Sequence, residues 1–392
     1  MREVEHFEVS GKRIVERVDI NLPIENGEPV ANPRIRRHAQ SIRELSSRGA
    51  KVIVTAHQGR KGDKDFMGLE KHAKMLSGLV GKEVKFLPGT DEAAVEREIA
   101  KMLPGDILVL ENARMWENEE KNIGENPLTR VLARNADVYL LDAMSVAHRE
   151  HASVVGLTKY VKSGVGFVLK QELSALEKME GGKVLLVIGG GKVKDSLRIM
   201  RTWLDSGKVS KALLGGAVSV FFLYADGYRN EASRKYLEEE GLAELLPEGK
   251  ELLEKHRGRI MLPSDVAISR DGEREECAKG GLGEGPIFDI GSGTVAQYRQ
   301  EILAAEKILI NGPMGVYELP NFSAGTRGVL GAIAESSAFS LVGGGHTISA
   351  IEKFQFPEDK FGYVSLSGKA LIEYLSGKEL PALKALKDSS SK

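Results

Sequence analysis

Short apolar runs alternate with longer amphipathic segments along the whole chain. In the first half the runs lie in RIVERVDINLP (13–23), KVIVTAHQGR (51–60), EVKFLPG (83–89), DILVLENARMW (106–116) and DVYLLDAMSVAHRE (137–150). In the second half they lie in KVLLVIGGGK (183–192), KALLGGAVS (211–219), RIMLPSDVAI (259–268), KILINGPMG (307–315) and FSLVGGGHT (339–347). Segments of helical period, such as RHAQSIRELSSRG (37–49) and SRKYLEEEGLAELL (233–246), fill the gaps. Runs too short for helices, separated by segments of period 3.6, predict strands and crossover helices, hence an α/β chain with mostly parallel sheets. No repeat of fixed period is visible. A helical stretch closed by Gly181-Gly182 lies between the halves, and residues 169–182 read as an interdomain helix.

The two halves end their strands differently. First-half strands run out into Asp19, Asn21, His57, Arg60, Arg114, His148 and Arg149. Second-half strands run out into Gly189-Gly190-Gly191, Gly215-Gly216, Gly312 and Gly343-Gly344-Gly345. Ligands of open parallel sheets bind beyond the carboxyl ends of the strands. The first half therefore offers a cationic, hydrogen-bonding rim and the second a glycine rim. That asymmetry suits a small, highly anionic molecule on one domain and a phosphate-bearing nucleotide on the other, with closure of the domains for reaction.

Length and composition narrow this little further. The 392 residues suit two domains at roughly 150 residues each. Lys+Arg 55 against Asp+Glu 56 leaves a net charge of -1, so no nucleic-acid or membrane partner is expected and any basic site must be local. The single cysteine, Cys277, admits no intramolecular disulfide and suits a reducing compartment. No signal peptide is expected from the charged N-terminus, and KDSSSK at the C-terminus reads as a frayed end.

Several motifs compete for the chemistry. No Gly-Lys pair is followed by Ser or Thr, so a Walker A loop is absent, and so is a GxSxG elbow. His148 and His151 lack the companions of a zinc site. Gly291-Ser-Gly-Thr-Val-Ala296 matches the dinucleotide fingerprint GxGxxA, but the following strand ends in Asn311 rather than the acid that would hold a ribose. VIGGGKVKDS offers backbone that a phosphate can approach, with Lys192 at the helix mouth, and its bland counterpart is a glycine turn with a solvated lysine. The arginines Arg60, Arg114 and Arg149 are either a ligand fork or a solvated face.

Taken in order, RVDINLP, PRIRRH, AHQGR, LENARMW, DAMSVAHREHAS, GGGKVKDS, LPSDV, INGPMGVYE and LVGGGHT resemble the motifs of phosphoglycerate kinases over nearly the whole chain, and the compact length resembles archaeal members. The resemblance implies two Rossmann-like parallel-sheet domains joined by a helix, with a hinged cleft. Their expected spans are 1–168 for phosphoglycerate and 183–375 for nucleotide, with the tail 376–392 packing back on the first domain. It implies reversible phosphoryl transfer between 1,3-bisphosphoglycerate and ADP, giving 3-phosphoglycerate and ATP, in a cytoplasmic monomer. The phosphoglycerate site would comprise Asp19, Asn21, Arg34, His57, Gln58, Gly59, Arg60, Arg114 and Arg149. Gly190, Gly191, Lys192, Asn311, Glu318, Gly343, Gly344, Gly345, His346 and Thr347 would bind the nucleotide, Glu318 at the ribose. Arg34 and Lys192 would flank the transferring group.

The departures lie on the nucleotide side. His346 stands where the family's GGGDT has the acid that serves Mg2+, which leaves the metal ligands open. Ser196 replaces a second lysine, Lys194 lies two residues away, and Lys369 is gained at another helix mouth. The turn at 343–347 is therefore either a modified phosphate cradle, with Lys369 supplying charge and His346 a hydrogen bond, or a turn in which His346 merely packs. A divergent relative using another phosphoryl donor and a non-catalytic anion-binding protein are the alternative readings.

Overall fold

Strand β1, Arg13–Arg17, lies inside a sheet completed by β2 (Lys51–Thr55), β3 (Lys85–Leu87), β4 (Ile107–Leu110), β5 (Val138–Leu141) and β6 (Lys162–Val165). The order is β3-β4-β2-β1-β5-β6 and every pairing is parallel. This computed structural model describes residues 1–121, 126–281 and 283–390. Its chain divides into one unit of residues 1–174 with 379–392 and a second of residues 175–378.

In the first unit, Arg17 is level with Thr55 on one side and with Leu141 on the other. The strands therefore release Asp19, His57 and the 143–149 segment at one edge of the sheet. Helix α1, Pro33–Ser47, covers one face. It starts there because Asn32 accepts hydrogen bonds from the Arg34 and Ile35 N–H groups, at 3.1 and 3.4 Å, and Pro33 sits in the first turn. It stays because Ile35, Ala39, Ile42 and Leu45 are buried on one stripe, against Val52 and Val54 among others. Burial of each such Ile or Leu contributes about 1.5–3 kcal/mol.

Helix α2, Phe167–Lys178, contains the division between the units. Its first turn is capped by Asp142, whose Oδ1 accepts from the Val168 and Leu169 N–H groups at 2.7 and 3.1 Å.

The second unit repeats the parallel plan. Its sheet has the order β9-β8-β7-β10-β11-β12, formed by β7 (Val184–Ile188), β8 (Val209–Leu214), β9 (Ile260–Met261), β10 (Lys307–Asn311), β11 (Phe339–Gly343) and β12 (Tyr363–Val364). Ile188 is level with Leu214 and with Asn311, and Asn311 with Gly343, so four glycine turns emerge side by side. Helices α3 (Val193–Asp205), α4 (Gly216–Ala225) and α5 (Glu231–Glu239) follow the first two turns. A further helix spans Leu246–Lys255, and α6 (Ser292–Leu303), α7 (Ala324–Glu335), α8 (Gly345–Lys353) and α9 (Lys369–Leu375) follow later in the unit.

Two expectations need correction. RIMLPSDVAI is not one strand: after Met261 the chain leaves the main sheet. Asp265–Arg270 then pairs antiparallel with Glu273–Ala278 and Ile287–Ile290. Pro263 cannot donate to a ladder, which suits the break. The C-terminal KDSSSK does not begin a frayed end, because helix α10, Pro381–Ser390, runs through most of it. Leu383 and Leu386 are buried in the first unit, and the Ala382 N–H donates to Ala147 O at 3.1 Å. Residues 391 and 392 lie outside the described residues.

Candidate active site

At the strand ends of the first unit, side chains do the work. The Asp19 carboxylate receives Arg34 Nε at 3.0 Å and the Ser145 hydroxyl at 2.5 Å. Burial pushes Asp19 up, but Arg34, His57 and Ser145 outweigh it and hold the carboxyl well below its usual range. Arg34 Nη1 also donates to Asn21 O at 3.2 Å, and Asn21 Oδ1 accepts from the Gly59 N–H at 2.9 Å. Gly59 has φ +64°, and a Cβ there would lie 2.6 Å from the Asp65 carbonyl, so only glycine fits this turn. The Gly59 carbonyl accepts from Arg114 Nη1. Asp19, Asn21, Arg34, Gly59 and Arg114 thus form one bonded constellation.

His57 is buried, and Arg17 Nη2 donates to its Nδ1 at 3.1 Å. Burial, then the Arg17 charge, hold His57 well below its usual range. Arginine cannot accept, so the neutral ring keeps its hydrogen on Nε2. Arg17 itself is only 1% exposed, and it was not among the expected site residues. Its Nε donates to Ser153 Oγ at 3.0 Å and its Nη1 to Val18 O at 2.6 Å. The signal available was an arginine at the end of β1, two residues before Asp19.

Gln58 is brought to the site but not into it. Its amide donates to Leu22 O and Asp65 O, at 3.1 and 3.2 Å, and its oxygen accepts from the Leu22 N–H and His72 Nε2. Every hydrogen-bonding position of that side chain is used within the protein, so Gln58 braces the loop that carries His57 and Arg60.

The Arg114 side chain is sunk in the protein, and Arg149 is partly buried within reach of its charge. Burial, then Arg149, lower Arg114 to about 10, with Arg17 and Arg60 adding to the effect. Burial, then Arg17 and Arg60, lower Arg149 as well. Burial, then Arg149, Arg17 and Arg114, push His151 down to about 3. Among the described residues, the buried Arg149 Nη1 has no hydrogen-bond partner. Four guanidinium groups lie close enough to disfavour one another's charge, and two of them, through Arg114 Nε and Arg149 Nη1, keep a buried donor without a hydrogen bond among the described residues, an arrangement suited to a multiply charged anion.

In the second unit the main chain does the work. The Gly190 N–H donates to Pro313 O at 2.7 Å, and the Gly216 N–H to Met314 O at 2.6 Å. A Cβ at Gly216, where φ is +54°, would lie 2.6 Å from Gly190 N. These glycines let three strand-end turns touch, and the N–H of Gly190 is not bare. Around Gly191 and Gly345, by contrast, a Cβ would meet nothing within 4 Å. Those two mark where backbone faces open space, at the starts of α3 and α8, whose first N–H groups lack intrahelical acceptors. Lys192 caps α3 and is exposed. Asn311 is buried, with Oδ1 against Gly344, while Thr347 Oγ1 accepts from the Gly312 N–H at 2.8 Å. A cavity of about 370 Å3 opens here, walled by Gly191, Val220, Phe288 and Val316 and by the more exposed Glu318 and His346. His346 Nδ1 lies 3.4 Å from Glu318 Oε1, and its ring meets Tyr317 edge to face. Gly343 packs on Leu371. Ser196 is buried and Lys194 exposed, so they occupy different faces of α3. Lys369 Nζ lies 3.6 Å from Glu373.

The GxGxxA match is not a ligand loop. The Asp265 carboxylate accepts from the Gly293 and Thr294 N–H groups at 2.9 and 2.6 Å, and Glu276 Oε2 from the Ser292 N–H at 3.0 Å. The protein's own carboxylates fill the anion position at the start of α6.

Two parallel-sheet units, one ending its strands in cations and the other in glycines beside a nucleotide-sized cavity, define the class of a two-domain phosphotransferase. Residues 4–378 match the family described as Phosphoglycerate kinase. A phosphoglycerate kinase of Methanopyrus kandleri is 39% identical over 397 residues, covering 98% of this chain and 96% of its own length. The crystal structure of the phosphoglycerate kinase from Pyrococcus horikoshii OT3 superposes with a TM-score of 0.92 at 32% identity, covering 100% of both chains. That from Coxiella burnetii gives 0.85 at 31% identity, covering 99% of each. The chain belongs to the phosphoglycerate kinase family.

Proposed function

We propose that this protein transfers a phosphoryl group reversibly between 1,3-bisphosphoglycerate and ADP, giving 3-phosphoglycerate and ATP, as a cytoplasmic monomer acting on small molecules. The observation that carries the reading is the arginine cluster, whose buried Arg149 Nη1 has no hydrogen-bond partner among the described residues. Arg60, Arg114, Arg149 and the Nε2–H of neutral His57 bind the phosphate and carboxylate of the acid. Arg34, oriented by Asp19 and Asn21, meets the transferring group from the acid side. The Gly191 backbone and Lys192 take the nucleotide phosphates, the cavity takes base and sugar, and Glu318 takes the ribose hydroxyls. Phosphoryl transfer asks mainly for positioning and charge stabilisation, which these groups supply. Transfer requires both ligands to meet in line.

The residues present do not fit a magnesium ion held by protein carboxylates. Among the described residues no group of three or more His, Cys, Asp or Glu side chains is arranged for a metal, and the helix mouth at 346 presents an imidazole already paired with Glu318. Magnesium accordingly enters as part of the nucleotide substrate. His346→Asp restores an oxygen donor, and its half-saturating magnesium concentration is expected to fall. Unchanged metal dependence in that variant removes the support for this reading.

A coupled assay for ADP release from ATP and 3-phosphoglycerate, run with several nucleotides and metals, tests the activity. The pairing of His346 with Glu318 favours one second reading, a relative using another phosphoryl donor. Stabilisation against heat by 3-phosphoglycerate but by no adenine nucleotide supports that reading or a purely anion-binding role.

A further inference from the structure

We propose that Glu120 is a built-in counter-anion of the arginine cluster, competing with the acid substrate for Arg114 and so setting how tightly that substrate binds. The inference rests on the assignment of the cluster as the phosphoglycerate site. Glu120 Oε1 lies 3.2 Å from Arg114 Nε, and the two side chains are 52% and 6% exposed. The carboxylate therefore reaches in from solvent to a guanidinium that is itself sunk in the protein.

The position of Glu120 is held from below. The preceding residue, Glu119, is 3% exposed and its carboxylate accepts from the Ser153 hydroxyl at 2.5 Å and the Ser153 N–H at 3.0 Å. The Glu119 carbonyl also accepts from the Ala152 N–H at 2.8 Å. Ser153 in turn receives Arg17, so the stalk of Glu120 is tied into the floor of the cluster.

Two other carboxylates among the described residues that act on these arginines are already committed. Asp19 is bonded to Arg34 and Ser145, and Glu119 is enclosed with Ser153. Glu120 alone among these three is exposed enough to swing out when a ligand arrives. In the empty site its charge offsets the mutual repulsion of Arg17, Arg60, Arg114 and Arg149. In the filled site it is a like charge beside the substrate. Its removal therefore leaves the free protein no more stable, and favours the anion complex. An exposed ion pair of this kind corresponds to a change of about two- to fivefold in binding.

The test is isothermal titration of the full chain with inorganic phosphate and with 3-phosphoglycerate at low salt, for wild type, Glu120→Gln and Glu117→Gln. Glu117→Gln removes the same charge from the same loop, where it makes no ion pair among the described residues. Both dissociation constants are expected to fall about two- to fivefold in Glu120→Gln only, while the ligand-free melting temperature does not rise, and the gap closes as salt is added. Unchanged or weaker anion binding in Glu120→Gln overturns the proposal, as does equal tightening in Glu117→Gln. Wild type that binds phosphate but not 3-phosphoglycerate overturns the functional assignment instead. Wild type that binds neither overturns both.

Discussion

The two units present opposite kinds of strand-end chemistry, and under the proposed function each would hold phosphate in its own way. The first gathers long cationic side chains whose charges repel one another, as the lowering of Arg114 and Arg149 shows. The second uses close contact of glycine turns, with the Gly190 and Gly216 N–H groups bonded across to residues 313 and 314. A site of side chains is separable from the fold that carries it, and losing one arginine relieves repulsion while removing a ligand contact. A site of backbone is the fold, except at the few positions that face open space.

The largest expected effect lies on the acid side. Arg34→Ala removes a donor aimed at the transferring group and should lower turnover about 10²–10³-fold in the coupled assay. Because Arg34 also neutralises the buried Asp19 carboxylate, the melting temperature should fall as well, so turnover is compared well below it. Near-normal turnover would mean that the acid site is misplaced.

The glycine side gives a sharper test through two neighbouring turns. Gly216→Ala puts a Cβ 2.6 Å from Gly190 N at a positive φ and should cost at least about 1–2 kcal/mol of stability, read by urea denaturation. Gly191→Ala meets no protein atom within 4 Å, so stability should hold while the KM for nucleotide rises about tenfold, a loss of about 1.4 kcal/mol. Equal loss of stability in both variants would break the distinction between knitting and ligand-facing glycines.

The smallest effect concerns Glu119. Burial raises it from 4.5 in the free side chain to about 7, against the pull of Ser153 and Arg17. The folded protein therefore holds a proton that the unfolded chain has released between those values. The stabilisation from that proton is complete below about pH 4.5 and fades as pH rises through about 7. Glu119→Gln should remove this slope, on the order of 1 kcal/mol, when unfolding by urea is compared at pH 5 and pH 7. Asp19 works the other way, since its lowered carboxyl contributes stability that is lost only in strong acid.

Much of this plan was legible in the chain. The strand ends stand level in each sheet, so residues a fixed distance past each apolar run come together, as Asp19 and His57 do. The start of α1 could be read from Asn32 and Pro33, because capping is a local interaction. The antiparallel strands at 265–290 were not legible, since period alone does not say which sheet a strand joins. Arg17 was missed because strand alternation cannot reveal that both faces of its strand are covered.

What the sequence by itself determined was local and periodic: which segments are strands, where helices begin, and which strand ends carry charge or glycine. Tertiary structure alone decided which polar groups remain for a ligand. Gln58 and Gly190 look like ligand contacts in the chain, yet their hydrogen bonds are closed by Leu22, Asp65 and Pro313. Gly293 looks like a phosphate turn, yet Asp265 from another strand fills it. Arg149 keeps a donor open among the described residues, which no neighbour in sequence foretells. A donor or acceptor is saturated by whatever lies about 3 Å away in space, and the partners of these groups come from elsewhere along the chain.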